Sequence, residues 1–134
     1  MVLQRSETMS IQSSADVVLV RQAVRQFALE LGFSLVDQTK IVTAASELAR
    51  NTLEYGGGGT VKLEALQEGI RRGLRLTFED TGPGIPDIEL ALKDGFTTGG
   101  GLGMGLSGSK RLVNEFNIIS QVGVGTCITI TKWK

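Results

Sequence analysis

Three segments of the chain carry residue types whose spacing could do chemistry. In ELARN, at residues 47–51, Glu47 and Asn51 are four apart, so on a helix they share a face beside Ala45, Leu48 and Thr52. The pair suits a solvated helix flank. It also offers a carboxylate that can take a proton and an amide oxygen that can bind Mg²⁺ beside phosphates. In EDTGPGIP, at residues 79–86, Asp80 stands where a strand runs into a sharp turn. Asp80 can cap that turn. An ionised carboxylate also offers acceptors only, so it can accept from the exocyclic amino group of adenine and would repel the carbonyl oxygen of guanine at that position. Gly82 and Gly84 would let a base lie close against the backbone.

The third segment is TTGGGLGMGLSGSKRLV at residues 97–113, a glycine run that leads directly into an amphipathic stretch. Glycines let backbone N–H groups approach an anion without a Cβ in the way, and a helix start adds unpaired donors and a favourable dipole. Phosphate binding is the chemistry such a loop suits. It matches neither common phosphate loop, because Gly105 is followed by Leu106 and Ser107 where a Walker loop has Lys and Ser or Thr. A dinucleotide-binding unit needs a strand just before the loop, and residues 89–96 do not read as one. The chain holds 18 glycines, about twice the usual ~7% share, clustered at 56–59, 82–84 and 95–108. The run at 56–59 reads as a flexible loop.

The elements that must hold these segments follow from periodicity. Val20, Val24, Phe27, Ala28 and Leu31 predict a helix over about residues 16–31, ended by Gly32. Ile41, Ala45, Leu48 and Thr52 predict a second over about 36–55, ended by the glycines that follow. TVKLEALQ and GLRLTFED alternate as strands around an EGIRRG turn. A short helix is expected near 87–93, another over 104–116, and two closing strands in NIISQVG and GTCITITKW. The order predicts an α/β (α+β) two-layer sandwich, with helices on one face of a mostly antiparallel sheet. At 134 residues, with no repeat and no linker, the chain reads as a single domain.

Composition removes several classes of function. Fourteen basic and fourteen acidic residues cancel, leaving no global field to attract nucleic acid or a membrane surface. No apolar run has the length of a signal peptide core or a membrane span, so a cytoplasmic protein is expected. Histidine is absent, which removes Ser-His-Asp and Cys-His catalysis and phosphorylation of the chain's own histidine. Cys127, the only cysteine, sits in a strand pattern and reads as a small core residue.

Taken in order, ELARN, DTGPGIP and GGGLGMGL resemble the N, G1 and G2 boxes of the GHKL ATPases, the superfamily of gyrase, histidine-kinase and MutL ATP-binding domains. Nearly the whole chain is similar to the stressosome-associated serine/threonine kinases of the RsbT type. The resemblance rests on ELGF at 30–33, SELARN at 46–51, EDTGPGIPDI at 79–88, DGF at 94–96, GGLG at 100–103, KRLVNEF at 110–116 and KW at 132–133. It implies a Bergerat-type fold with a mixed sheet and ATP held under a lid formed by about residues 87–105. It further implies that Asn51 ligates Mg²⁺, Asp80 accepts from the adenine amino group, and Gly82 and Gly84 shape the adenine pocket. Gly101, Gly103 and Gly105, with Leu106, would wrap the phosphates, Thr126 would support adenine through water, and Glu47 would be the general base. The implied reaction is transfer of the γ-phosphoryl group to a serine or threonine of a STAS-domain protein, with a PP2C-type phosphatase as a further partner. The boxes are equally compatible with an anti-sigma factor that sequesters a sigma subunit. A docking module that binds ATP without catalysis is a further alternative.

Overall fold

A computed structural model describes residues 2–93 and 105–134. The expected phosphate-wrapping glycines Gly101 and Gly103, and most of the expected lid, lie outside the described residues. The elements run β1 (Val2–Ile11), α1 (Ser14–Glu30), α2 (Leu35–Glu54), β2 (Gly59–Glu68), β3 (Arg71–Asp80), α3 (Ile88–Ala91), α4 (Gly105–Arg111), β4 (Glu115–Gln121) and β5 (Gly125–Trp133). The two long helices start where serine can satisfy the first free amides. Ser13 accepts from the Asp16 N–H at 3.3 Å, and Ser34 accepts from the Asp37 N–H at 3.1 Å. Gly32, at φ +82°, reverses the chain between them.

The strands form one sheet in the order β1-β2-β3-β5-β4, and every pairing is antiparallel. The mixed pairing that the resemblance implied is therefore absent among the described strands. Its cause is the placement of β5: the connection through α3 and α4 joins two parallel strands, β3 and β4, but β5 inserts between them. One face of the sheet carries Val61, Leu63 and Ala65 from β2, Leu74, Leu76 and Phe78 from β3, and Ile128 and Ile130 from β5. These pack against Val20, Val24 and Phe27 of α1 and Ile41, Ala45 and Leu48 of α2 in one buried cluster. The two-layer sandwich is thus the one expected. Among the described residues no helix is long and apolar enough to cross a membrane.

Three details differ from the sequence reading. The strand β1 was not expected, because its helix-facing positions are not all apolar. Arg5 lies 4.1 Å from the Phe27 ring centroid and pairs with Glu30, so only Met9 and Ile11 extend the apolar cluster. The helix expected over 104–116 stops at Arg111, because the next residues bond to β5 instead. The Asn114 N–H donates to the Thr131 carbonyl at 3.0 Å, the Asn114 side chain accepts from the Trp133 N–H at 2.7 Å, and the Trp133 indole donates to Glu115 at 2.6 Å. The EGIRRG turn contracts to Gly69 and Ile70, with Gly69 at φ +62° as a two-residue hairpin requires at its first position.

On the face of the sheet away from the helices, Glu64 and Arg75 face each other across β2 and β3 in a two-point pair, at 3.0 and 3.2 Å. The Arg75 hydrogen bonds hold the Glu64 carboxyl below its ordinary value, against the opposing effect of burial. A carboxyl depressed in the folded state contributes stability above its unfolded pKa and loses it as pH falls through the folded one. Glu64→Gln is therefore expected to cost about 1–3 kcal/mol near neutral pH and to match the parent in acid below the depressed pKa. Urea unfolding at both pH values checks this, and an equal deficit at both would contradict it. Cys127 also lies on this face, half-buried, and burial followed by the charge of Glu79 pushes its thiol up. It is thus an unreactive strand residue rather than part of the main core.

Candidate functional site

The site is built at the end of the sheet where one cross-strand row runs through every strand: Ile11, Gly59, Asp80, Thr126 and Ser120. Directly opposed residues of antiparallel strands share a face, so Asp80, Thr126 and Ser120 all project toward the helices. Asp80 is the last residue of β3. Its Oδ1 accepts from the Gly82 N–H at 2.9 Å and from the Thr126 N–H at 3.3 Å. The first bond is the turn-capping role and the second ties β5 to it. Both readings of Asp80 are compatible, because the capped carboxylate also lines a cavity.

That cavity has a volume of about 220 Å³ and lies between α2, the sheet and the segment after β3. Phe78, Ile85, Ala91, Leu106 and Ile128 give it apolar walls, while Asp80, Asn51 and Thr126 supply polar groups and Tyr55 stands on the α2 side. A mostly apolar slot with a fixed carboxylate suits a flat ring bearing a donor amine. Of the sequence-predicted residues, Asn51, Asp80, Gly84, Gly105, Leu106 and Thr126 are brought together on this cavity.

Gly82 and Glu47 are not among its lining residues. A Cβ on Gly82 would fall 2.7 Å from the Gly56 Cα, and one on Gly84 would fall 2.4 Å from the Gln121 carbonyl oxygen. These two glycines therefore admit neighbouring protein backbone, and of the two only Gly84 lines the cavity. In the run at 56–59, read from sequence as a flexible loop, Gly56 and Gly59 are packed, while a Cβ on Gly57 would meet nothing within 4 Å. A Cβ on Gly56 would fall 2.5 Å from the Asp80 Cγ, and one on Gly59 would fall 2.0 Å from the Glu79 carbonyl oxygen. Gly125, at φ +147°, meets the Asp80 carbonyl oxygen in the same way, at 2.1 Å. Gly56 thus makes room for the Asp80 side chain, while Gly59 and Gly125 make room for the backbone carbonyls of Glu79 and Asp80.

Glu47 lies one helical turn before Asn51 on α2, 8% exposed, with its Oε2 3.3 Å from Nη1 of the half-exposed Arg50. It sits beyond the Asn51 end of the cavity, away from Asp80. Among the described residues no group of three or more His, Cys, Asp or Glu side chains could hold a metal. A divalent ion here would need the Asn51 amide oxygen supplemented by oxygens from a bound ligand and water, which suits Mg²⁺ better than an ion that needs an all-protein cage.

Ser120 was not anticipated. Its hydroxyl lies 2.8 Å from the Thr126 Oγ1, accepts from the Ile85 N–H at 2.7 Å, and donates to the Gly125 carbonyl at 3.3 Å. It thereby joins the turn after β3 to the β4–β5 hairpin. A serine in an alternating strand carries no signal of this in sequence.

With this geometry the chain is similar to known proteins along its length. The family model described as histidine kinase-, DNA gyrase B-, and HSP90-like ATPase matches residues 36–134. The serine/threonine-protein kinase RsbT of Bacillus subtilis (strain 168) is 50% identical over 123 residues, covering 92% of each chain. The anti-sigma F factor of Anoxybacillus flavithermus is 33% identical over 126 residues, covering 89% of this chain and 85% of that one. Among solved structures, the RsbU and RsbW domains of a Mycobacterium tuberculosis protein share the fold, with a TM-score of 0.67 at 22% identity over 98% of this chain and 33% of that longer one. The mycobacterial sensor histidine kinase MprB shares it at a TM-score of 0.57 and 18% identity, covering 96% and 97%.

Proposed function

The chain belongs to the histidine kinase-, DNA gyrase B- and HSP90-like ATPases, and from that premise we propose a serine/threonine-protein kinase that phosphorylates a STAS-domain partner and acts in partner switching. The observation that carries this reading is the 50% identity, over 92% of both chains, to a serine/threonine-protein kinase. The GHKL relationship supplies ATP as the phosphoryl donor. A PP2C-type phosphatase is the second partner in this reading.

The chain's own groups divide the work along the cavity. Asp80, held by two backbone amides, accepts from the adenine amino group and orients the base between Phe78, Ile85 and Ile128. Gly105 and Leu106, at the start of α4, close the side facing the phosphates, and the same reading assigns phosphate contacts to Gly101 and Gly103. Asn51 would hold Mg²⁺, which supplies charge neutralisation on the phosphate oxygens. Thr126 supports the base beside Asp80. Glu47, beyond Asn51, takes the proton of the acceptor hydroxyl as its oxygen attacks. Phosphoryl transfer asks a protein mainly for position and charge, so this small set suffices without a covalent intermediate.

The test is incubation with labelled ATP, Mg²⁺ and the STAS-domain proteins encoded by the same genome. Label is expected on a serine or threonine of one of them. Similarity to anti-sigma F factors supports sigma-factor sequestration as the second reading, at lower identity. Capture of a sigma subunit, with no STAS protein labelled, would favour it over the first. Binding of ATP with no transfer to any partner would leave the docking module.

A further inference from the structure

We infer that Ser120 is a positioning residue that sets the polarity of the Thr126 hydroxyl, and through it the preference of the site for a purine bearing an amino group at position 6. The inference rests on the reading of the cavity as an adenine site. It begins from what one hydroxyl can do: a serine has a single proton to donate and two lone pairs that accept. All three neighbours of the Ser120 hydroxyl are within hydrogen-bonding distance, and two of them have fixed roles. The Ile85 N–H, at 2.7 Å, can only donate. The Gly125 carbonyl, at 3.3 Å, can only accept.

The Ser120 proton therefore goes to the carbonyl and one of its lone pairs to the amide. Either oxygen could donate in the 2.8 Å contact between Ser120 and Thr126; with the Ser120 proton on the Gly125 carbonyl, its remaining lone pair faces the Thr126 Oγ1 and Thr126 is the donor. With its proton committed to Ser120, the Thr126 hydroxyl has lone pairs alone to offer elsewhere. Thr126 is also the cross-strand neighbour of Asp80, and both line the cavity. The row then presents acceptors only: a carboxylate that cannot donate and a hydroxyl whose proton is tied back. Such an edge attracts an amino group, directly or through water, and disfavours a carbonyl oxygen in the same place. Without Ser120, the Thr126 hydroxyl is free to turn its proton toward the ligand, and the penalty on a carbonyl is relieved.

The experiment compares equilibrium binding of ATP with that of inosine triphosphate, which differs in carrying a carbonyl at position 6 and a proton on the adjacent ring nitrogen. The parent chain is expected to prefer ATP. Ser120→Ala is expected to reduce that preference about tenfold, the scale of one hydrogen bond, mainly by strengthening inosine triphosphate binding while ATP binding changes little. Ser120→Cys keeps the side chain's shape but is a poor acceptor, and it is expected to shift the preference in the same direction. In a Thr126→Val background, Ser120→Ala is expected to change the preference little, because the group it acts through is gone. A purely structural serine would weaken both nucleotides alike, and that result, or an equal loss of preference in the Thr126→Val background, overturns the inference while leaving the adenine site intact. A parent chain that binds both nucleotides equally overturns the adenine reading itself, and this inference with it.

Discussion

Glu47→Ala is expected to slow phosphoryl transfer by about a hundredfold to ten-thousandfold while ATP stays bound, the usual cost of removing a general base. The structure separates the two effects. Glu47 lies beyond Asn51, outside the residues lining the cavity, so its truncation removes no contact with the base. Its carboxylate is nearly enclosed and, among the described residues, pairs with Arg50, which is half-exposed and can swing toward solvent. Single-turnover transfer at saturating ATP, measured beside direct ATP binding, is the appropriate comparison. Asn51→Ala is the counterpart: binding in the presence of Mg²⁺ should weaken and transfer should fall with it. If Glu47→Ala transfers at the parental rate, the carboxylate is not the base and is better described as a partner that fixes Arg50.

The second large effect is expected at Asp80. Asp80→Asn should lower ATP affinity by about one to two decades, because a charge-assisted hydrogen bond worth roughly 1.5–3 kcal/mol is lost. The substitution is close to isosteric, so the close approach of Gly56 does not forbid it. The two amides that now converge on Oδ1 give the amide side chain a reason to keep its own oxygen on that side. Its NH₂ group then takes the place of Oδ2 and meets the donor amine of adenine head on. Calorimetric titration reads the loss directly, and unchanged affinity would remove Asp80 from the nucleotide site.

Much of this arrangement was legible in the sequence because the features concerned are local. The helices announced themselves through 3.6-residue spacing and terminating glycines, and the hairpin of β2 and β3 through alternation and a glycine turn. The cavity residues were found because Asp80, Asn51 and the glycines belong to short ordered motifs. The missed features are those that depend on distant pairing. β1 is held by the pairing with β2 and by an arginine on a phenylalanine face, neither of which leaves an apolar stripe. Residues 112–116 continue a helical pattern, and only the bonds of Asn114 and Glu115 to β5 draw the chain into the sheet. Gly56 and Gly59 looked like loop residues because what they touch, Asp80 and Glu79, comes twenty or more positions later. Ser120 became informative only when the register set it opposite Thr126.

The insertion of β5 between β3 and β4 has a consequence for the protein as it is made. The amide of Thr126 that steadies the Asp80 carboxylate lies 46 residues further along the chain. A ribosome therefore completes Asp80 well before it produces the group that fixes it, and β5 must still thread between two strands already synthesised. Such long-range pairing is slow to form because the connecting segment must be ordered first. Until it forms there is no fixed edge for a nucleotide to recognise, so cellular ATP stabilises only chains that have completed the sheet. On the proposed reading of this edge as the nucleotide site, ATP would add stability to finished molecules and none to those that stop short.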